Sequence, residues 1–189
     1  YGEAARWPTR MARALGEGFR VLEEALNGRT TVFEDPLRPG RNGISHLDAA
    51  FHTCEPVDLA IVMLGTNDLK DMFMASADVV TSGLERLLKH LLDLMRDSIS
   101  REAKLLVISP IAVERAGIGE FFYGFSERSA REARKLAALY GALAEKMGAG
   151  FLDASQLARP DPADGIHLDR RGHAALAEAA TAAVRTLLG

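Results

Sequence analysis

Apolar residues along this chain fall into two kinds of pattern: short continuous runs, and longer stretches with a period of three to four. Four runs read as buried strands: "FRVLEEA" (19–25), "DLAIVML" (58–64), "KLLVISP" (104–110) and "GFLDA" (150–154). The second and third are near-continuous Val, Ile and Leu, the pattern of parallel strands covered on both faces. Between the runs the period changes. Leu84, Leu87, Leu88, Leu91 and Met95 recur at helical spacing over 83–95. Ala133, Leu136, Ala137, Tyr140, Leu143, Ala144 and Met147 do so over 129–147, as one face of a helix requires. Ser129 with Glu132 has the spacing of a capping box, and the helix is expected to stop at Gly148. A last helix is expected over 171–188, with Asp169 as its N-cap, and shorter ones near 7–15 and 46–53. Strands alternating with helices specify a parallel sheet in an α/β sandwich. Ligands of such sheets bind beyond the carboxyl ends of the strands. Chemistry is therefore expected just past residues 25, 64, 110 and 154.

Composition narrows the classes. The chain has 189 residues, 48% hydrophobic and 26% charged, which suits one globular domain over 1–189. Its formal net charge is −3 and its basic runs do not exceed two residues, so no nucleic-acid partner is expected. No stretch approaches 18 uncharged apolar residues, so no membrane span is expected either. The single Cys, Cys54, excludes an internal disulfide and fits a cytoplasmic location, as it would a secreted protein without disulfides; it reads as a small core residue rather than a nucleophile. His46, His52, His90 and His173 lie in helical stretches without ligand spacing, so neither metal nor cofactor is expected. No G-x-G-x-x-G opens a helix, which argues against a dinucleotide site.

Three of the expected strand ends carry candidate chemistry. After the first comes "ALNGRTT", with Gly28 and Arg29; after the second, "GTND", with Asn67; after the fourth, "DGIHLD", with Asp164 and His167. A carboxylate three residues before a His can reach one ring nitrogen, fix the tautomer and leave the other nitrogen as a base. Taken alone, the pair also reads as a helix-entry Asp and a surface His. An oxyanion hole needs N–H donors aimed at one point. Gly28, lacking a Cβ, lets backbone approach a ligand, and Asn67 offers a side-chain amide. Each alone is equally a turn residue.

In combination, "LNGRTT", "GTND" and "DGIHLD" resemble the Gly, Asn and Asp–His blocks of the SGNH (GDSL-type) hydrolase family. "VLEEALNGRTTVFEDP", "RNGISHL" and "DLAIVMLGTNDLK" are similar to its arylesterase and acyltransferase subgroup. The resemblance runs from about Arg6 to the C-terminus and is weakest over 112–126. It implies a flavodoxin-like three-layer α/β/α sandwich with a mostly parallel sheet, and metal-free serine ester hydrolysis. Gly28 would donate its backbone N–H and Asn67 its amide to the oxyanion. His167 would act as general base and then acid, and Asp164 would orient it. The implied substrate is a small ester with a short acyl or aryl part, with acyl transfer to alcohols as an extension. A carbohydrate acetyl esterase, a lysophospholipase or thioesterase, and a non-catalytic binding module are the alternatives. A homo-oligomer is expected.

The family's first block, Gly-Asp-Ser after an apolar strand, is not in these residues. It is expected upstream of Tyr1, which makes this an N-terminally incomplete domain. Ser45, Ser109, Ser126 and Ser129 lack the surrounding pattern, although Ser109 stands at a strand end. In a flavodoxin-like sheet the first strand is central. Its absence would leave "FRVLEEA" and "DLAIVML" facing a gap of unpaired backbone groups. At about 1–3 kcal/mol for each buried group, such a gap would exceed a usual stability of about 5–15 kcal/mol. Two further readings concern the pocket. Arg29 either lines the acyl site or pairs with an acid such as Asp35. Phe121 and Phe122 of "EFFYGF" (120–125) would form an apolar wall for the acyl or aryl group, or pack as a lid. Trp7 reads as core or interface.

Overall fold

The computed structural model of the protein describes residues 2–114 and 124–189. Its main elements run α1 (Trp7–Leu15), α2 (Gly43–Cys54), β1 (Leu59–Val62), α3 (Ala77–Arg96), β2 (Lys104–Ser109), α4 (Glu127–Lys146), β3 (Gly150–Asp153) and α5 (Arg170–Leu188). The three strands are parallel and lie side by side in chain order, with Leu59 opposite Lys104 and Leu106 opposite Gly150.

Alternation along β2 builds two cores. Leu105 and Val107 face α3 and α4, where they meet Leu84, Leu88, Leu136 and Tyr140. Leu106 and Ile108 face the other way, onto Leu176 of α5. Met11 of α1 closes that second side against Ala180 and Val184. The result is a three-layer α/β/α sandwich, with α1 and α5 on one face and α2, α3 and α4 on the other. A strand between two helical layers must be apolar on both faces, and β2 is buried from Leu105 through Ser109.

The segment 19–25 is a correction: it is not a strand. It runs without ladder partners, with Phe19, Leu22 and Leu26 exposed, and only Val21 packs onto the cluster that contains Leu59 and Ile61. A strand exists through hydrogen bonds to a neighbour about 4.8 Å away, and an apolar run without one leaves its backbone to water. β1 has such a neighbour on one side only, β2, among the described residues. Its four residues are all half-buried although all are apolar.

A second correction concerns the start of α4. The chain is still extended at Ser126 (φ −131°, ψ −175°), so the helix begins there and the capping box joins Ser126 to Ser129. Glu132 instead accepts the N–H of Ala77, 2.8 Å away, at the start of α3. Asp169 caps α5 as expected, accepting the N–H of Gly172 at 2.6 Å.

Candidate active site

The loops after β1, after β3 and around Gly28 supply the candidate residues. Past β1, Gly65 takes φ 120°, and a Cβ there would run into the hydroxyl of Tyr140. That hydroxyl is buried and donates to the carbonyl of Leu64 at 3.0 Å. Burial, with the nearby Asp68 charge, holds the phenol well above its ordinary pKa, so it stays a neutral donor. The glycine of "GTND" is thus explained by a helix 75 residues away in sequence.

Asn67 and Asp68 follow in a short 3-10 turn. The Asn67 amide donates to the carbonyl of Arg29 at 3.1 Å. Asp68 is fully buried, and its Oδ1 accepts from both the backbone N–H (2.9 Å) and the hydroxyl of Thr31. Desolvation raises its pKa to about 6, against the lowering effect of the Thr31 bonds. The "GTND" and "NGRTT" loops are therefore tied twice, in opposite directions. From below, Leu69 O accepts from the hydroxyl of Ser129 at 2.7 Å and from the guanidinium of Arg128 at 3.0 Å.

Gly28 is buried with φ 86°, and a Cβ there would lie 2.9 Å from Nη1 of Arg38. Both its conformation and its surroundings exclude a side chain. The loop that follows docks on α2, where Gly43 and Ile44 donate their N–H groups to the carbonyls of Thr30 and Thr31 at 3.1 and 3.0 Å.

The loop before α5 organises itself. Asp164 Oδ2 lies 2.8 Å from His167 Nδ1, while Oδ1 accepts the N–H groups of Ile166 and His167, each at 2.8 Å. Burial would raise the Asp164 carboxyl, but these N–H groups and the imidazole outweigh it and hold it below the usual range. Ile166 and Leu168 are buried on either side, which leaves the intervening His167 side chain turned outward and 57% exposed. Ile166 and Leu69 belong to the same hydrophobic core. The N–H of Glu114 donates to Gly165 O at 2.8 Å and ties the loop to the segment after β2.

Arg29 does not pair with Asp35. Asp35 is taken by Lys70 in a buried ion pair of 3.0 Å, and by the N–H groups of Leu37 and Arg38. Arg29 is half-buried, and its Nε has no hydrogen-bond partner among the described residues. The serines considered from the sequence are engaged elsewhere. Ser109 is buried and donates to Asp153 at 3.0 Å; Ser126 and Ser129 form the cap of α4; exposed Ser45, on α2, lies 3.5 Å from Glu34. Cys54 is half-buried, and burial together with Glu24 raises its thiol, the opposite of what a nucleophile needs. Phe121 and Phe122 lie outside the described residues. Sequence reasoning missed Thr31, Asp68, Tyr140 and the Asp35–Lys70 pair. Only Asp68, next to Asn67 in its motif, stood where a signal could have been read.

The profile of the GDSL-like lipase/acylhydrolase family matches residues 1–175. The chain belongs to this family. Within its fold, the chain is similar to the aryl esterase of M. smegmatis, with 34% identity over 100% of this chain and 88% of that one and a TM-score of 0.92. It is equally similar to a carbohydrate acetylesterase family member from Sinorhizobium meliloti, with 33% identity over 100% and 89% and a TM-score of 0.91. No curated protein sequence matches the chain. Family membership makes this GDSL-type protein an esterase or acylhydrolase. Among its described residues, no helix is long and apolar enough to cross a membrane, and no group of three His, Cys, Asp or Glu side chains could hold a metal ion.

Proposed function

We propose that this GDSL-family protein is a serine esterase for short acyl or aryl esters, with His167 as its base. The observation that carries this reading is the Asp164–His167 pair, a carboxylate fixed by two backbone N–H groups and set 2.8 Å from Nδ1. With that tautomer held, Nε2 is the nitrogen that exchanges protons. The nucleophile in this reading is a serine whose proton His167 takes. Ser109 donates to Asp153, and Ser126 and Ser129 form the cap of α4, so none of these three serines is offered for that role.

The steps follow from the donors available. The serine oxygen attacks the ester carbonyl while its proton passes to His167 Nε2. The new C–O bond pushes the carbonyl electrons onto oxygen. That oxyanion accepts from the Gly28 N–H and from the Asn67 amide, whose other N–H is aimed by its bond to Arg29 O. The intermediate collapses, the C–O bond to the alcohol breaks, and His167 returns the proton to the leaving oxygen. Water repeats the sequence on the acyl-enzyme; an alcohol in its place gives acyl transfer.

The test is hydrolysis of 4-nitrophenyl acetate from pH 5 to 9 by the active protein and by His167→Ala. The wild-type rate should rise with pH as the imidazolium gives up its proton, and the variant should be nearly inactive. Equal slow rates at every pH would replace the esterase with a binding module. The similarity to a carbohydrate acetylesterase supports a second substrate class, and acetylated xylose run beside the aryl ester separates the two.

A further inference from the structure

The turn at Gly28 is surrounded by positive charge that the ester reaction does not use. Arg38 lies with Nη1 2.9 Å from where a Gly28 Cβ would stand, and Arg41 Cδ is 3.6 Å from the same point. Arg41 is held by carbonyls rather than acids: its Nε donates to Asn27 O at 2.8 Å and its Nη1 to Pro39 O at 3.1 Å. Arg29, the next residue along, is influenced first by its burial, then by the Glu24 charge and, less strongly, by the Arg41 charge.

No carboxylate answers these three guanidiniums with an ion pair among the described residues. The nearest acids are engaged. Asp35 is 2% exposed and bound to Lys70. Glu34 accepts the Asn42 amide at 2.8 Å. Glu24 acts on Arg29 from a distance but lies 3.8 Å from His46 Nε2. Like charges set this close repel one another, and a bound anion would relieve that repulsion. A guanidinium also presents its N–H groups as a fork that matches a carboxylate.

We propose that Arg29, Arg38 and Arg41 form an anion-recognition cluster at the rim of the ester site, and that the substrate is an ester carrying a carboxylate. This rests on the esterase reading, because the cluster surrounds the glycine whose N–H that reading assigns to the oxyanion. Arg38 is exposed and Arg29 and Arg41 are half-buried, so a carboxylate can reach the cluster without unfolding the loop. It would sit close to the reacting carbonyl, and the fixed positive charge would favour anionic over neutral esters.

The experiment uses two matched pairs with the active protein at low ionic strength. One places the carboxylate on the leaving group: 4-acetoxybenzoate against its methyl ester. The other places it on the acyl chain: mono-4-nitrophenyl adipate against 4-nitrophenyl hexanoate. At least one pair should favour the anion about five- to tenfold in kcat/KM, as expected of a partly solvated charge pair. Added salt should reduce that ratio. Arg38→Gln should bring it close to one, and Arg38→Lys should keep part of it. Because a ratio is read, a general loss of activity does not imitate the effect. Ratios of one or less in both pairs, or ratios unchanged in Arg38→Gln, would overturn the cluster. If no ester in either pair is hydrolysed, the esterase reading has failed. The cluster is then judged by NMR titration with 4-acetoxybenzoate: saturable binding weakened in Arg38→Gln supports it, and no binding overturns it.

Discussion

The loop that carries His167 and the loops that carry Gly28 and Asn67 are built in opposite ways. The first is held mostly from within: Asp164 bonds to residues two and three positions ahead, and Gly165 and His167 bond back to Asp161, with one outside tie from the Glu114 N–H to Gly165 O. The second pair is held from outside, by Thr31 on Asp68, by Asn67 on Arg29, and by Ser129 on Leu69 across 60 residues of chain. The carboxylates differ too. Asp164 is stabilised as an anion by its N–H donors, whereas Asp68 is buried first and only partly compensated. A self-contained loop can keep an exposed imidazole in place with few contacts. A surface of converging donors must be assembled from distant segments, and it inherits their stability.

Four measurements would sharpen or break this contrast. The largest effect is expected from His167→Ala, with ester hydrolysis falling at least about 10³-fold. Its melting temperature should stay near that of the wild type, because the side chain is mostly exposed. A large drop in melting temperature would show that the loop is not self-contained.

Next comes Asn67→Ala. Removing one oxyanion donor typically lowers kcat by about 10²–10³-fold, with little change in KM because the donor acts mainly on the transition state. Steady-state kinetics on an aryl acetate decides it, and a change below about threefold would remove Asn67 from the site.

The third measurement uses pH. Asp68 has a raised folded-state pKa, so between its ordinary value and about 6 the native state holds the extra proton. Stability should therefore fall as pH rises through that window, by about 3 kcal/mol in order of magnitude. Asp164 has the opposite sign: its lowered pKa adds stability above the unfolded value, and this is lost as pH falls below about 4. Urea unfolding of wild type and Asp68→Asn at pH 4.5 and 7.5 isolates the first effect. If the variant keeps the wild-type slope, Asp68 is not its source.

The smallest effect is expected from Ser129→Ala, which removes the hydroxyl on Leu69 O and one side of the α4 cap. A loss of about 1 kcal/mol is expected. Urea unfolding monitored by far-UV circular dichroism gives the value, and a fully neutral result would take Ser129 out of the support for the Asn67 loop.

Much of the scaffold was legible because its signals are periodic and local. The five helical stretches and three of four strands follow from spacing alone, and "DGIHLD" announces its own contact because Asp164 and His167 are neighbours across one turn. The misreadings share one cause. "FRVLEEA" has the composition of a strand but no neighbour to pair with. Ser129 and Glu132 have capping-box spacing, yet the chain enters α4 three residues earlier, at Ser126, and Glu132 is drawn to α3. Arg29 and Asp35 are close in sequence, yet Lys70 reaches Asp35 first.

Sequence alone determined where the five helices and three of the four expected strands lie, the three-layer class and the Asp164–His167 pair. Contacts three or four residues apart cost little loop entropy, so neighbouring residues are enough to specify them. Tertiary structure alone decided that Tyr140 occupies the space beside Gly65, that Asp68 is buried against Thr31, and that Arg38 and Arg41 close on Gly28. Those contacts depend on which distant surfaces packing brings together, and a helix or strand pattern states only which face will be covered, not by what.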